Sequence, residues 1–172
     1  SVAGDGTYGG ELAAGFESGA FTQHYAAAWR DGEGYRDHAD VERLSLSGRW
    51  GLALGDAVRA GAIARYYEGE GEEPGYLTLA DRTANPRMTN AYNASDADSR
   101  DMQQYALTLD AALGGGLDWV SIAYLNRLRD DRHVKFSASA SQQRRLEAED
   151  QYGVTSTLHW HGELSGMVLM LE

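Results

Sequence analysis

The chain contains no cysteine. Disulfides, thiolate nucleophiles and cysteine metal sites are therefore excluded. A chain without cysteine suits the cell envelope, although the absence does not fix the compartment. Long apolar runs are also missing. Ala60 to Ala64 and Met167 to Leu171 are among the longest, far short of the roughly 18 residues of a membrane helix. That rules out a helical membrane span and leaves a membrane barrel open, because strand alternation hides from hydropathy windows. Lysine occurs once, as Lys135, and the remaining Lys/Arg positions are arginine. Positive charge is scarce overall: the net charge is -11, the wrong sign for a nucleic-acid partner. Proline occurs 2 times against 21 glycines in 172 residues, a balance that fits one β domain with many turns. Ser1 to Gly10 has neither the basic nor the apolar region of a signal peptide. The chain stops within the apolar run Met167–Leu171. Both ends read as cuts, so the expectation is a piece of a longer protein.

What is present is period-two alternation, the mark of a strand with two unlike faces. Leu44, Leu46, Gly48, Trp50, Leu52 and Leu54 alternate with Arg43, Ser45, Ser47, Arg49, Gly51 and Ala53. After Gly55-Asp56 the chain returns as Val58, Ala60, Ala62, Ala64 and Tyr66 against Arg59, Gly61, Ile63, Arg65 and Tyr67. Tyr8 to Phe16 and Phe21 to Trp29 form a similar hairpin around residues 17–19. Tyr105, Leu107, Leu109, Ala111 and Leu113 give a further apolar face. Leu146, Ala148, Tyr152, Val154, Leu158 and Trp160 give another. The faces of 117–128 stay open, since Val120, Ile122 and Tyr124 compete with Trp119, Ala123 and Leu125. His161-Gly162-Glu163 reads as a turn before a last strand.

The reading is all-β: an antiparallel meander of about eight amphipathic strands, part of a transmembrane β-barrel. The connections alternate in length. Residues 17–19, 55–56, 114–116 and 161–163 are short; 31–39, 68–99 and 129–145 are long. Outer-membrane barrels keep short turns at the periplasmic end and long loops outside. The aromatics sort the same way. Phe16, Phe21, Trp50, Trp119 and Trp160 fall near short turns, and Trp29, Tyr66, Tyr105 and Tyr152 towards long loops. These are the two interfacial girdles of a membrane wall. The opposite face carries Glu11, His24, Arg43, Arg49, Arg59, Arg65, Asp110 and His159. Such charges suit a wet or plugged lumen and would be costly in a dry core.

Beyond the pattern, several stretches resemble TonB-dependent outer-membrane receptors of the iron-siderophore type. They are Gly34-Tyr-Arg-Asp-His38 with Val41-Glu-Arg-Leu-Ser-Leu-Ser-Gly48, then Ala64-Arg-Tyr-Tyr-Glu68 leading to Pro74-Gly-Tyr-Leu77 and Ala84-Asn-Pro86, and Ser99-Arg-Asp-Met102. The TonB box, the plug and the C-terminal aromatic strand end of that family are absent. Family members close about 22 strands around a plug. The resemblance therefore implies that residues 1–172 are a partial barrel domain, an early third of the wall, with plug and remaining strands absent. It also implies a bacterial outer-membrane location and outer-membrane lipid around the wall. The imported ligand would be a scarce nutrient such as a ferric siderophore, and a TonB complex would act through the plug. Recognition would fall to outer loops: Tyr35, Arg36 and His38 in the first, and Tyr76, Arg82, Asn85 and Arg87 in the second. Arginine and tyrosine suit anionic, aromatic chelates. Against each stands the plainer role of a loop-packing residue.

No cofactor and no metal site is expected. His159 and His161 share a face but lack a third ligand, so lumen filler fits them better. Glu68, Glu70, Glu72 and Glu73 lack calcium-loop spacing and read as a solvated run, as do Asp96 and Asp98. Asn93-Ala-Ser95 is a glycosylation sequon in spelling only. No nucleophile elbow, phosphate loop or metal-hydrolase motif appears, so the chain is not expected to be an enzyme. The competing readings are a small eight-stranded barrel with a structural or adhesive role, and a soluble β-sandwich binding module.

Overall fold

The computed structural model describes residues 6–164 and 167–171, with side chains through residue 162. Alternating sequence becomes alternating structure along eight strands. They are β1 (Tyr8–Ser18), β2 (Phe21–Gly32), β3 (Val41–Leu54), β4 (Val58–Glu72), β5 (Ala97–Gly114), β6 (Leu117–Val134), β7 (Gln143–Leu164) and β8 (Met167–Leu171). Each pairs antiparallel with the next, in one sheet of order β1-β2-β3-β4-β5-β6-β7-β8. Among the described residues β1 and β8 do not pair with each other, so the sheet is open.

Cross-strand partners share a face, so register sorts the side chains. One row runs Ala14, Tyr25, Gly48, Ala64, Tyr105, Leu125, Tyr152. The next apolar row runs Phe16, Gln23, Trp50, Ala62, Leu107, Ala123, Val154. The face expected to be apolar is therefore continuous across seven strands. Nothing covers it: Leu12 is 72% exposed, Leu107 63% and Val154 75%. A soluble sandwich would bury these side chains beneath a second sheet, and among the described residues there is none. The structure also settles β6. Trp119 pairs with Ala111 and Leu158, and Ala123 with Leu107 and Val154, placing them on the apolar face. Val120, Ile122 and Tyr124 share the other face with Asp110, Thr108 and Ala106.

The apolar band crosses the sheet obliquely. Its upper edge is Trp29 and Leu44 on β2 and β3, which share one row. In that row the outward residues of β4, β5 and β6 are already Glu68, Asp101 and Arg129. On β5 to β7 the band begins two rows lower, at Tyr105, Leu125 and Tyr152. Two rows are four residues, about 13 Å at about 3.3 Å each, over the roughly three and a half strand spacings of about 4.8 Å between the middle of β2–β3 and the middle of β5–β7. The strands therefore lean roughly 35–40° from the band's normal, close to the tilt of membrane barrels. On β3 the band from Leu44 to Leu54 rises about 27 Å once that lean is applied, a bilayer's apolar thickness.

One expected turn is misplaced. His161, Gly162 and Glu163 lie inside β7, opposite Met170, Leu169 and Val168 of β8. The His-Gly-Glu spelling resembled a turn, yet the ladder continues past it, and residues 165–166 fall outside the described residues. The long loops are also shorter than the sequence implied. Strands β4, β5 and β6 run well above the apolar band, leaving loop 1 at 33–40, loop 2 at 73–96 and loop 3 at 135–142.

Candidate functional site: the cap of outer loops

All three long loops leave the same end of the sheet. At the opposite end the turns are tight, with Gly19 at φ 57 and Gly55 at φ 74, backbone angles that favour glycine. The deepest burial in the described molecule lies among the loops, not in the sheet. Asp96 is 0% exposed and Asn93 1%.

Asp96 holds the loops together. Its Oδ2 accepts from Asn93 Nδ2 at 2.7 Å and from the Lys135 amide at 2.9 Å. Its Oδ1 accepts from Gln142 Nε2 at 3.2 Å. Its carbonyl accepts from the Glu73 amide at 2.9 Å and from His38 Nε2 at 2.7 Å. One residue thus binds loop 1, both ends of loop 2 and loop 3. The expectation of a solvated acid at Asp96 is overturned, because burial next to five donors suits an acceptor. Asn93 is likewise buried, in the 3-10 turn Ala91–Asn93. The Asn-x-x-Asp spacing of 93 and 96 was the available signal, a side chain closing a local turn. Gly75 fits against the Asn93 amide at φ +65, where an added Cβ would sit 2.4 Å from Asn93 Cγ.

Arg36 is a second tie. Its Nη1 donates to Gly75 O at 2.6 Å, Nη2 to Pro74 O at 2.9 Å and Met88 O at 2.7 Å, and Nε to Met88 O at 3.2 Å. The planar guanidinium suits this fork of carbonyls. The Asp37 amide donates to Arg87 O at 2.7 Å, and Thr89 Oγ1 donates to Asp37 O. His38, at φ 58, also meets Glu72 Oε1 at 3.2 Å through Nδ1. Arg132 closes on Glu73 through Nε at 2.6 Å and Nη2 at 2.7 Å.

The expected recognition residues thus divide. Arg36 and His38 point into the loop packing. Tyr35 is exposed beneath the Arg87 guanidinium, 5.1 Å from its ring centre, while Arg87 Nε donates to Tyr35 O at 2.9 Å. Asn85 Oδ1 accepts from the Arg87 amide at 3.0 Å. Tyr76 is 83% exposed. Arg82 is exposed in the last turn of α1 (Leu79–Ala84), a short helix capped by Thr78 that buries no residue. So Tyr35 and Arg87 stand together on one side of the cap, and Tyr76 and Arg82 project from loop 2.

Below the cap, the inner face is polar in rows. Ser47, Arg65, Gln104, Asn126 and Gln151 share one, with Arg65 Nη1 donating to Gln104 Oε1 at 2.8 Å. This face contributes to a concavity of about 960 Å³. Glu68, Glu70 and Glu72 are not in a loop but on the outward face of β4. His161 Nδ1 lies 3.6 Å from Asp118 Oδ2 near the turn end. Among the described residues no group of three His, Asp or Glu side chains is placed to hold a metal.

No family model and no curated protein matches this sequence. Solved structures do match in shape. The ferric citrate transporter FecA, unliganded, aligns at TM-score 0.77 and 14% identity, over 92% of this chain and 24% of that one. The siderophore receptor PiuA of Acinetobacter baumannii aligns at 0.71 and 11% identity, over 95% and 28%. The ferric-catecholate import receptor Fiu of E. coli K12, closed form, aligns at 0.67 and 12% identity, over 95% and 28%. At such identities the likeness establishes the fold: this chain is built as a stretch of the β-barrel of such receptors. It spans about a quarter of the length of the proteins it matches. Their names are those of transporters and receptors. The structures matched in shape carry the names of iron and siderophore receptors, the type that the sequence stretches resemble.

Proposed function

We propose that this chain is part of the barrel wall of a TonB-dependent outer-membrane receptor that imports a scarce nutrient, a ferric siderophore. The observation that carries the reading is the asymmetry of the sheet. Every long loop among the described residues is tied into one cap, above a polar inner face, while the outer face is an uncovered apolar band of bilayer height. A purely structural or adhesive wall needs the band but not a cap stitched to a polar inner rim. Among the described residues β1 is laddered to β2 alone, and a strand at the end of a sheet order invites further strands beside it. Residues 1–172 would then be a partial barrel domain completed by other strands and a plug, through which the TonB complex acts. The ligand surface in this part of the wall would be formed by Tyr35 with Arg87, and by Tyr76, Arg82 and Asn85. Arg36 and His38 would hold those loops in position from within. In iron-starved cells, deleting the gene should abolish uptake of a radiolabelled ferric siderophore while inner-membrane iron transport persists. Unchanged uptake across a panel of ferric siderophores would refute the reading.

A further inference from the structure

One rung of the inner face stands out by its charge. In register it runs Gly9, Arg30, Arg43, Gly69, Arg100, Asp130, Glu147. Arg30 and Arg43 are direct cross-strand partners, a like-charge pairing that a sheet ordinarily disfavours. Arg100, by contrast, is matched to Asp130, with Nε donating to Oδ2 at 3.1 Å. Arg129, Arg132 and Arg144 also have carboxylate partners. Arg30 and Arg43 have none among the described residues. Glu11 lies diagonal to Arg30, one rung lower, and forms no ion pair with it. Asp98 lies one rung higher and two strands from Arg43.

The surroundings leave room for a ligand. Gly69 puts no side chain between Arg43 and Arg100. The Tyr67 hydroxyl fills that gap instead, 2.7 Å from where a Gly69 Cβ would sit. The rung lies at the upper edge of the apolar band, directly below loop 1. Two unpaired guanidiniums and a phenol are arranged as donors, with no acceptor of their own. Guanidinium forks match carboxylate and phosphate oxygens in pairs.

We propose that Arg30, Arg43 and Tyr67 form an oxyanion-binding site on the inner wall, which takes a ligand bearing at least two carboxylate or phosphate groups. This rests on the import reading and deepens it, since it assigns the charge class of the cargo. It also adds a wall site below the loop residues Tyr35 and Arg87.

The test is calorimetric titration of the full-length protein in detergent with citrate and, separately, with pyrophosphate. At least one probe should bind, more weakly as salt rises, and the tighter of the two identifies the carboxylate or phosphate class. The double variant Arg30→Gln/Arg43→Gln should lose at least about tenfold in affinity, given the strength of charged hydrogen bonds. Arg59→Gln, on the same face but opposite Asp110, should stay within about twofold of the parent. Heat-modifiable migration on electrophoresis reports folding of each variant. Should the double variant fail to fold, Arg43→Lys keeps the charge but loses the fork, and should still weaken binding measurably. Unchanged affinity in folded variants would overturn the site. So would absence of binding by either probe to the parent, as when an acidic segment of the protein itself occupies the rung. Siderophore uptake separates the two claims. Uptake indifferent to both arginines leaves the import reading standing without the rung. Anion binding through the rung without any uptake does the reverse.

Discussion

Replacing Asp96 should open the cap and leave the wall intact. In Asp96→Ala, the Lys135 amide loses its acceptor at 2.9 Å, and Asn93 Nδ2 loses one of two at 2.7 Å while its other N–H keeps the Lys135 carbonyl, beside a side chain with no exposure. Each buried donor left unmatched costs about 1–3 kcal/mol, and the Gln142 contact adds a weaker loss. About 3–4 kcal/mol is therefore expected, with the backbone ties from Glu73 and His38 to the Asp96 carbonyl still present. That energy belongs to the loops, whose opening is local and separate from that of the paired strands. It corresponds to an increase of roughly a hundredfold or more in the open fraction. Hydrogen exchange by mass spectrometry should show it as lost protection at 33–40, 73–96 and 135–142 together. Amides in the paired parts of β2 to β6 should exchange as before. Asp96→Asn should fall between parent and alanine, because one oxygen still accepts. Loss of protection in loop 2 alone would refute the idea that Asp96 couples the loops. A loss across the strands would refute the independence of cap and wall.

Three further outcomes follow from the same geometry. Leu109→Arg, mid-band on the outer face of β5 opposite Ala60 and Ser121, should weaken refolding into lipid by about 2–4 kcal/mol. Ala28→Arg, on the inner face opposite Glu11, should be nearly neutral, and equal effects would invalidate the face assignment. Gly75→Ala should displace Asn93 and raise proteolysis within loop 2, since both the positive φ and the space disfavour a Cβ; unchanged cleavage would count against that packing. The Asp98 carboxyl, on β5 above the apolar band, is held above its usual range by burial, then by Glu73 and Asp130. A raised folded value means protonation favours the fold, so stability at the cap base should fall as pH rises from about 4 through that value. Asp98→Asn should flatten this dependence in exchange rates, and an unaltered pH profile would refute it.

The wall was legible because a lipid-facing sheet obeys a simple local rule. Leu44 to Leu54 alternates strictly, and its partners across the ladder repeat the pattern. At β6 the rule failed, since Val120, Ile122 and Tyr124 face inward where a lumen also accepts apolar side chains. Only pairing to β5 and β7 could decide it. The turn expected at His161 failed because glycine marks turns and close strand approaches alike. The cap was illegible for a different reason. Asp96 meets His38 from 58 positions away and Lys135 from 39, and loops carry no period from which such contacts can be read. Arg36 looked like a ligand residue because its chemistry, a fork of donors, serves a chelate and a set of backbone carbonyls equally well.

The oblique band has a consequence for how such a wall can change in size. Averaged over β2 to β7 the apolar layer steps down by about one residue per strand, so a hairpin with its short turn is a repeatable unit of the wall. Duplicating or deleting a whole hairpin would alter the circumference while every remaining strand kept its facing and its pitch. Removing a single strand would instead leave the rest of the cylinder running the wrong way. Growth in this architecture therefore proceeds by twos.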